Sequence, residues 1–287
     1  MIEKIKYKLN KISIFINRVN QYISIYLYKN RNKEFEEIIK QNRKYLKSID
    51  SFLSKKQFSV NDYGIPKDLY NHLDKPINIY PTYTDLIIFL SNYLKKDKLN
   101  YLEIGVSVMK NYLQIANQFT NSKIFGFDNN PINPNFVDIF DTVNAKFFNS
   151  TYKSNDLYYF CGDLLDQKDT KEFKSFTNTS FDIIFSDALH TKEGVMSEYS
   201  NLIKGSLSES FILYFDDLDF PDLKEAVIEI YNDLSLKNKN LNLYSFDIHG
   251  WVGQYEKFHT NGIITNLDLE KKLRNDGIVL KKFRRII

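Results

Sequence analysis

Residues 181–190 read FDIIFSDALH and residues 210–217 read SFILYFDD. Each is a short apolar run ending in carboxylates, the pattern of a buried strand whose last residues emerge at a sheet edge. Working outward, similar runs occupy 101–106, 123–127 and 158–161, with helical patterns between them. Alternation of this kind predicts a parallel sheet flanked by helices. Two further runs, 243–248 and 257–264, are joined by a loop containing Gly250 and Gly253 that is too short for a crossover helix. They are expected to pair antiparallel.

In an open doubly wound sheet, ligands bind beyond the carboxyl ends of the strands, so the run ends carry the chemistry. The first ends Leu102-Glu103-Ile104-Gly105-Val106-Ser107, an acid followed by a glycine where the backbone turns tightly. The second ends in Asp128, about 20 residues on, from where a carboxylate can accept hydrogen bonds from a ribose diol. A dinucleotide-binding protein would share that acid, but the fuller G-x-G-x-x-G loop is absent. The third ends Cys161-Gly162-Asp163. The fourth places Asp187 at a strand end with His190 three residues on, and the fifth ends in Asp216-Asp217.

As neighbours about 4.8 Å apart, these last two strands would bring three carboxylates together. Like charges that close oppose one another's ionisation, and a hard divalent cation resolves the conflict. Oxygen-only ligation by Asp187, Asp216 and Asp217 suits Mg²⁺, with Ca²⁺ or Mn²⁺ as alternatives, and disfavours Zn²⁺. A competing role for Asp217 or Asp219 is to cap the following helix.

The Asp-x-x-His of Asp187 and His190, followed by Asp216-Asp217, resembles the metal-dependent O-methyltransferases of the macrocin and mycinamicin sugar-modifying type. The cephalosporin hydroxylase-like group and, more distantly, catechol O-methyltransferase share the metal site. The resemblance covers residues 86–264. It implies a Rossmann-like class I methyltransferase fold: a mostly parallel seven-stranded sheet with a terminal antiparallel hairpin. S-adenosyl-L-methionine would lie on Glu103, Gly105, Ser107, Asp128 and Asp163, the last contacting the adenine amino group. Ser107 and Met109 stand where the family's first motif usually carries further glycines, and Asp216 stands where the sugar enzymes usually have Glu. The implied chemistry is methylation of a hydroxyl on a sugar, glycoside or other small molecule, with His190 as base beside Asp187. Alternatives are a metal-independent methyltransferase, in which Asp187 orients His190, and a non-catalytic subunit that binds the cofactor or a glycan.

Ahead of this domain, expected over 76–287, residues 1–75 read as a helical extension. Ile5, Leu9, Ile12, Ile16, Val19 and Ile23 recur in steps of four and three, one face of a helix close to a heptad seam. That stripe is expected to pack on the core or on another subunit, making a homo-oligomer; a basic helix on a membrane surface is the rival, given Lys4, Lys6, Lys8, Lys11 and Arg18. A second helix is expected around Phe35, Ile38, Ile39 and Leu46. Trp251, in the terminal hairpin loop, could stack on a ring substrate or serve local packing.

Composition sets outer bounds. The 39 basic and 36 acidic residues give a net charge of +3, too even to argue for nucleic acid. One cysteine, Cys161, excludes an internal disulfide framework and points to a reducing compartment, with the cytoplasm as default. No stretch reaches the roughly 18 to 20 apolar residues of a membrane span, and the N-terminus lacks a signal-peptide pattern.

Overall fold

A computed structural model of the chain describes residues 8, 12, 16, 19, 23, 32–53, 64–75, 80–144, 146–250, 252 and 258–287. Among the described residues, ten strands form one sheet: β1 (Asn100–Ile104), β2 (Lys123–Asp128), β3 (Thr142–Asn144), β4 (Phe147–Tyr152), β5 (Asn155–Cys161), β6 (Phe181–Ser186), β7 (Leu207–Phe215), β8 (Asn242–His249), β9 (Phe258–Thr265) and β10 (Lys281–Arg285). The helices are α1 (Lys33–Lys47), α2 (Lys67–Tyr70), α3 (Tyr83–Ser91), α4 (Lys110–Gln118), α5 (Gln167–Thr177), α6 (Lys192–Glu198), α7 (Pro221–Ser235) and α8 (Leu269–Asn275).

The strand order is β10-β8-β9-β7-β6-β1-β2-β5-β4-β3. The five strands β5, β2, β1, β6 and β7 are parallel, and β9 runs antiparallel between β7 and β8. This is a Rossmann-like α/β sheet with the expected antiparallel β8–β9 pair, but it is wider and less parallel than expected. Two segments account for the difference. The β3–β4 hairpin extends the sheet beyond β5, and β10 extends it beyond β8. Neither had an apolar run to announce it: β10 is KKFRR, paired through its backbone at an edge where cationic side chains stay in water.

Parallel strands need both faces covered. On β6, Ile183 and Phe185 enter one core with α1, α3 and α4, while Ile184 enters the other with α7. Helix α1 is joined to this sheet by its interior. Phe35 packs on Phe89 with ring centroids 4.9 Å apart, and Arg43 pairs with Asp85 at 2.8 Å, both side chains buried. Asp85 also accepts from the Thr82 amide at 2.8 Å and from Asn42 at 2.7 Å, so the start of α3 is fixed by charge as well as by packing.

Of the first expected helix, the described residues are Lys8, Ile12, Ile16, Val19 and Ile23. All five are helical, and the four apolar ones are exposed, so these described residues of the stripe do not pack on the sheet core. Trp251 and Gly253 lie outside the described residues. Among the described residues no helix is long and apolar enough to cross a membrane.

The chain runs from β1 to β2 on one side, then returns after β5 to place β6 on the other side of β1. The order reverses between β1 and β6, and a crevice opens at their carboxyl ends.

Candidate active site

At that crevice, Gly105 follows β1 with φ +89° and lies directly under the turn that follows β6. A Cβ there would sit 2.3 Å from the Asp187 carbonyl oxygen, so glycine is what lets the two strand ends meet. Ser107 and Met109 also hold positive φ, at 50° and 63°. These are the positions where the sequence lacks glycines; the backbone keeps the left-handed shape, and Ser and Met carry the strain. The Ser107 amide donates to Asp128 Oδ2 at 2.7 Å, and the Asn130 amide donates to Oδ1 at 2.8 Å. Asp128 is thereby held at the end of β2, where it lines the crevice.

A cavity of about 460 Å³ fills this crevice. Along one side it is lined by Glu103, Gly105, Ser107, Asp128 and Asp163, and along the other by Asp187, His190, Asp216, Asp217 and His259. Every cofactor-side residue picked from the sequence borders it. Glu103 is the most enclosed: its Oε2 accepts from Tyr101 Oη at 2.8 Å and Asn111 Nδ2 at 2.7 Å, and burial raises its pKa well above the carboxylate range. Asp163 is exposed at the rim, with Oδ1 accepting from the Leu165 amide at 2.9 Å.

The acidic side is organised around Asp217. Its backbone is left-handed at φ 57°, a conformation that Asp tolerates better than most residues. His190 Nε2 lies 3.1 Å from its Oδ2, and His259 Nδ1 lies 2.5 Å from its Oδ1. His190 Nε2 also lies 3.5 Å from Asp187 Oδ1. Asp216 is buried; its Oδ1 accepts from the Asp217 amide at 2.8 Å and from Asn261, whose own Oδ1 accepts from Tyr214 at 2.6 Å.

Neither acid proposed as a helix cap has that role. Helix α7 starts after Phe220 without a side-chain cap, and Asp219 accepts instead from the Thr260 amide at 2.9 Å.

Charge is shared unevenly. Hydrogen bonds that His190 donates to Asp187 and Asp217 raise its pKa to about 10, so in this arrangement the ring keeps its proton at neutral pH. Burial opposes the charged form of Asp217, yet bonds to His190 and His259 outweigh it and hold the carboxyl well below its usual range. Burial, reinforced by Asp187, pushes Asp216 up to about 8. Burial likewise raises Asp187.

Three contributors escaped the sequence reading. Asn261 and His259 come from β9, where Gly262 pairs with Phe215; continuing that register past β7 sets Asn261 opposite Asp216, with His259 two residues further along β9. Working out the β7–β9 register was the signal that could have found them. Glu198, at the end of α6, is fully buried and accepts from Ser186 Oγ at 2.5 Å, holding the residue before Asp187. A π-helical turn, Tyr199–Ile203, follows it directly. His249, by contrast, is a packing residue: it stacks on Phe258 with centroids 4.4 Å apart.

Burial lifts the Glu198 pKa from 4.5 to about 8. The folded state therefore keeps a proton that the unfolded state has released, and stability falls as pH climbs through that window, by up to about 1.4 kcal/mol per pH unit. Glu198→Gln removes the titration. Urea unfolding of both proteins at about pH 5.5 and 7.5 should show wild type losing stability relative to the variant; parallel pH profiles would refute this.

Comparison with known proteins gives limited likeness. No protein-family profile matches the chain, and no curated protein matches it by sequence. Among solved structures, a protein from Klebsiella pneumoniae assigned as an O-methyltransferase is 11% identical, with a TM-score of 0.44 over 85% of this chain and 96% of that one. The plantazolicin methyltransferase BpumL, in complex with SAH, is 15% identical, with a TM-score of 0.43 over 82% of this chain and 100% of its own. Spermidine synthase from Thermotoga maritima is 13% identical, with a TM-score of 0.40 over 71% and 68%. At these identities and scores the likeness carries no argument about chemistry, which rests on the site itself.

Proposed function

We propose that the chain is an S-adenosylmethionine-dependent O-methyltransferase acting on a hydroxyl of a sugar, glycoside or other small molecule. The observation that carries this reading is that one cavity borders both Asp128 and the Gly105 turn and the His190–Asp217 pair. An adenosine-bearing cofactor held on the first side presents its reactive end to the second. Asp128 is placed to accept from a ribose diol, and Asp163 stands at the rim for the base.

S-adenosylmethionine supplies, when bound, a methyl group on a sulfonium that leaves as a neutral thioether. That methyl group would pass to an acceptor oxygen as the carbon–sulfur bond breaks, and the hydroxyl proton would pass to His190 Nε2 once the ring has released the proton that Asp187 and Asp217 hold on it at neutral pH. Asp187 and Asp217 hold the imidazole in place. Orientation of donor and acceptor in one cavity supplies much of the rate.

The acidic donors fit a divalent cation, since Asp216, Asp217 and His259 place ligand atoms within 4.8 Å of one another. A bound cation supplies Lewis acidity toward the acceptor hydroxyl. Sharing Asp217 with a cation also weakens that carboxylate's hold on the His190 proton, which favours the neutral ring a base requires. One observation favours a metal-independent second reading: two histidines already face these carboxylates and can balance their charge.

Transfer of radiolabelled methyl from S-adenosylmethionine to a panel of hydroxylated glycosides separates the readings. Turnover should disappear with EDTA and return with added divalent cation; full turnover in protein stripped of metal would leave only the metal-independent reading. His190→Ala should lose roughly 10² to 10⁴ in turnover with cofactor affinity kept, whereas unchanged turnover would remove His190 from the mechanism.

A further inference from the structure

The all-oxygen ligand set expected from the sequence, Asp187, Asp216 and Asp217, is not the group that the fold draws tightest. Among the described residues, the group whose ligand atoms lie within 4.8 Å of one another is Asp216, Asp217 and His259, and Asp187 is linked to it through His190. We infer that His259 is a metal ligand through Nδ1, and that the mixed nitrogen and carboxylate set selects a borderline transition ion over Mg²⁺. The inference rests on the cation-dependent form of the proposed function.

The geometry supports this in three ways. His259 Nδ1 lies 2.5 Å from Asp217 Oδ1 and 3.7 Å from Asp216 Oδ1. Neighbouring donors of a six-coordinate ion with bonds of about 2.1 Å stand roughly 3 Å apart, a spacing these distances bracket. The three residues are also rigidly mounted. His259 on β9 and Asp216 just past the end of β7 are buried, and the Tyr214–Asn261–Asp216 chain fixes the carboxylate from behind, as supporting bonds do around metal ligands. Finally, the group faces the cavity, so positions not filled by protein are open to water or an acceptor hydroxyl.

Imidazole is a poor ligand for Mg²⁺, which prefers oxygen and near-ideal octahedra, and a good one for Mn²⁺, Fe²⁺, Co²⁺ and Zn²⁺. A chain that needed only Mg²⁺ gains no strong ligand from a nitrogen at this position.

The test uses the whole chain and Mn²⁺ as probe. Calorimetry on EDTA-treated, dialysed protein should show Mn²⁺ binding roughly tenfold or more tighter than Mg²⁺. Pulsed electron paramagnetic resonance of bound Mn²⁺ should show coupling to a directly ligated nitrogen that changes isotope pattern when histidine is ¹⁵N-labelled. His190→Ala should keep that coupling and His259→Ala should lose it, with Mn²⁺ affinity reduced at least roughly tenfold. The wild-type spectrum decides the matter even if the His259 variant fails to fold. Mn²⁺ bound without nitrogen coupling, or coupling lost in His190→Ala alone, would overturn the assignment while leaving a cation site in place. Absence of any divalent-cation binding would overturn both this assignment and the metal-dependent form of the proposed function.

Discussion

Gly105→Ala should abolish cofactor binding and destabilise the fold by about 2 to 5 kcal/mol, the range of a backbone clash that cannot relax. The added methyl would lie 2.3 Å from the Asp187 carbonyl oxygen, 2.6 Å from its carbon and 2.7 Å from the Ala188 Cα. Both sides are pinned. The Gly105 amide donates to the Phe127 carbonyl at 2.9 Å, and the Asp187 amide donates to the Ile104 carbonyl at 2.9 Å. Relief therefore requires parting β1 from β6, which displaces the Gly105 turn and Asp187 together. Gly205 provides the control, with φ +80° and nothing within 4 Å of an added Cβ. Gly205→Ala keeps the left-handed strain without the clash and should cost about 1 kcal/mol. Urea unfolding of the two variants measures the difference; equal losses would show that the close approach of the two strand ends contributes nothing.

Asp217→Asn should reduce turnover by roughly 10³ or more while changing affinity for S-adenosylhomocysteine by less than about threefold. Asparagine tolerates the left-handed backbone better than most residues, so the φ of 57° at this position is retained. What disappears is the charge that faces both His190 and His259. A neutral amide can neither stabilise the imidazolium that forms on proton transfer nor serve as a strong cation ligand. Asp217 lies across the cavity from the ends of β1, β2 and β5, so the cofactor side should keep its affinity. Steady-state assays beside calorimetry separate the two effects. Turnover within tenfold of wild type would displace Asp217 from the centre of the site.

The parts of the fold legible in the sequence were those governed by period and burial. Runs such as 181–186 are apolar because both faces are covered, and that leaves a plain mark. The edge strands left none: β10 is mostly cationic and is held by backbone bonds to β8, which any sequence can make. The same division runs through the site. Asp187, His190, Asp216 and Asp217 were visible because they end apolar runs. His259, Asn261 and Glu198 come from a strand interior and a helix end, and only the register of β9 and the packing of α6 bring them to the strand ends. The glycine-poor first motif was the least legible feature, because Ser107 and Met109 adopt φ values that their side chains disfavour.

The central claim is that the cavity holds an adenosine-bearing sulfonium cofactor on its Gly105–Asp128 side. Calorimetry with S-adenosylhomocysteine tests it most directly, on wild type and on Asp128→Ala, without requiring a known acceptor. One site with a dissociation constant on the order of micromolar is expected, with at least roughly tenfold weaker binding in the variant. No binding to wild type, or equal binding to both proteins, would contradict it.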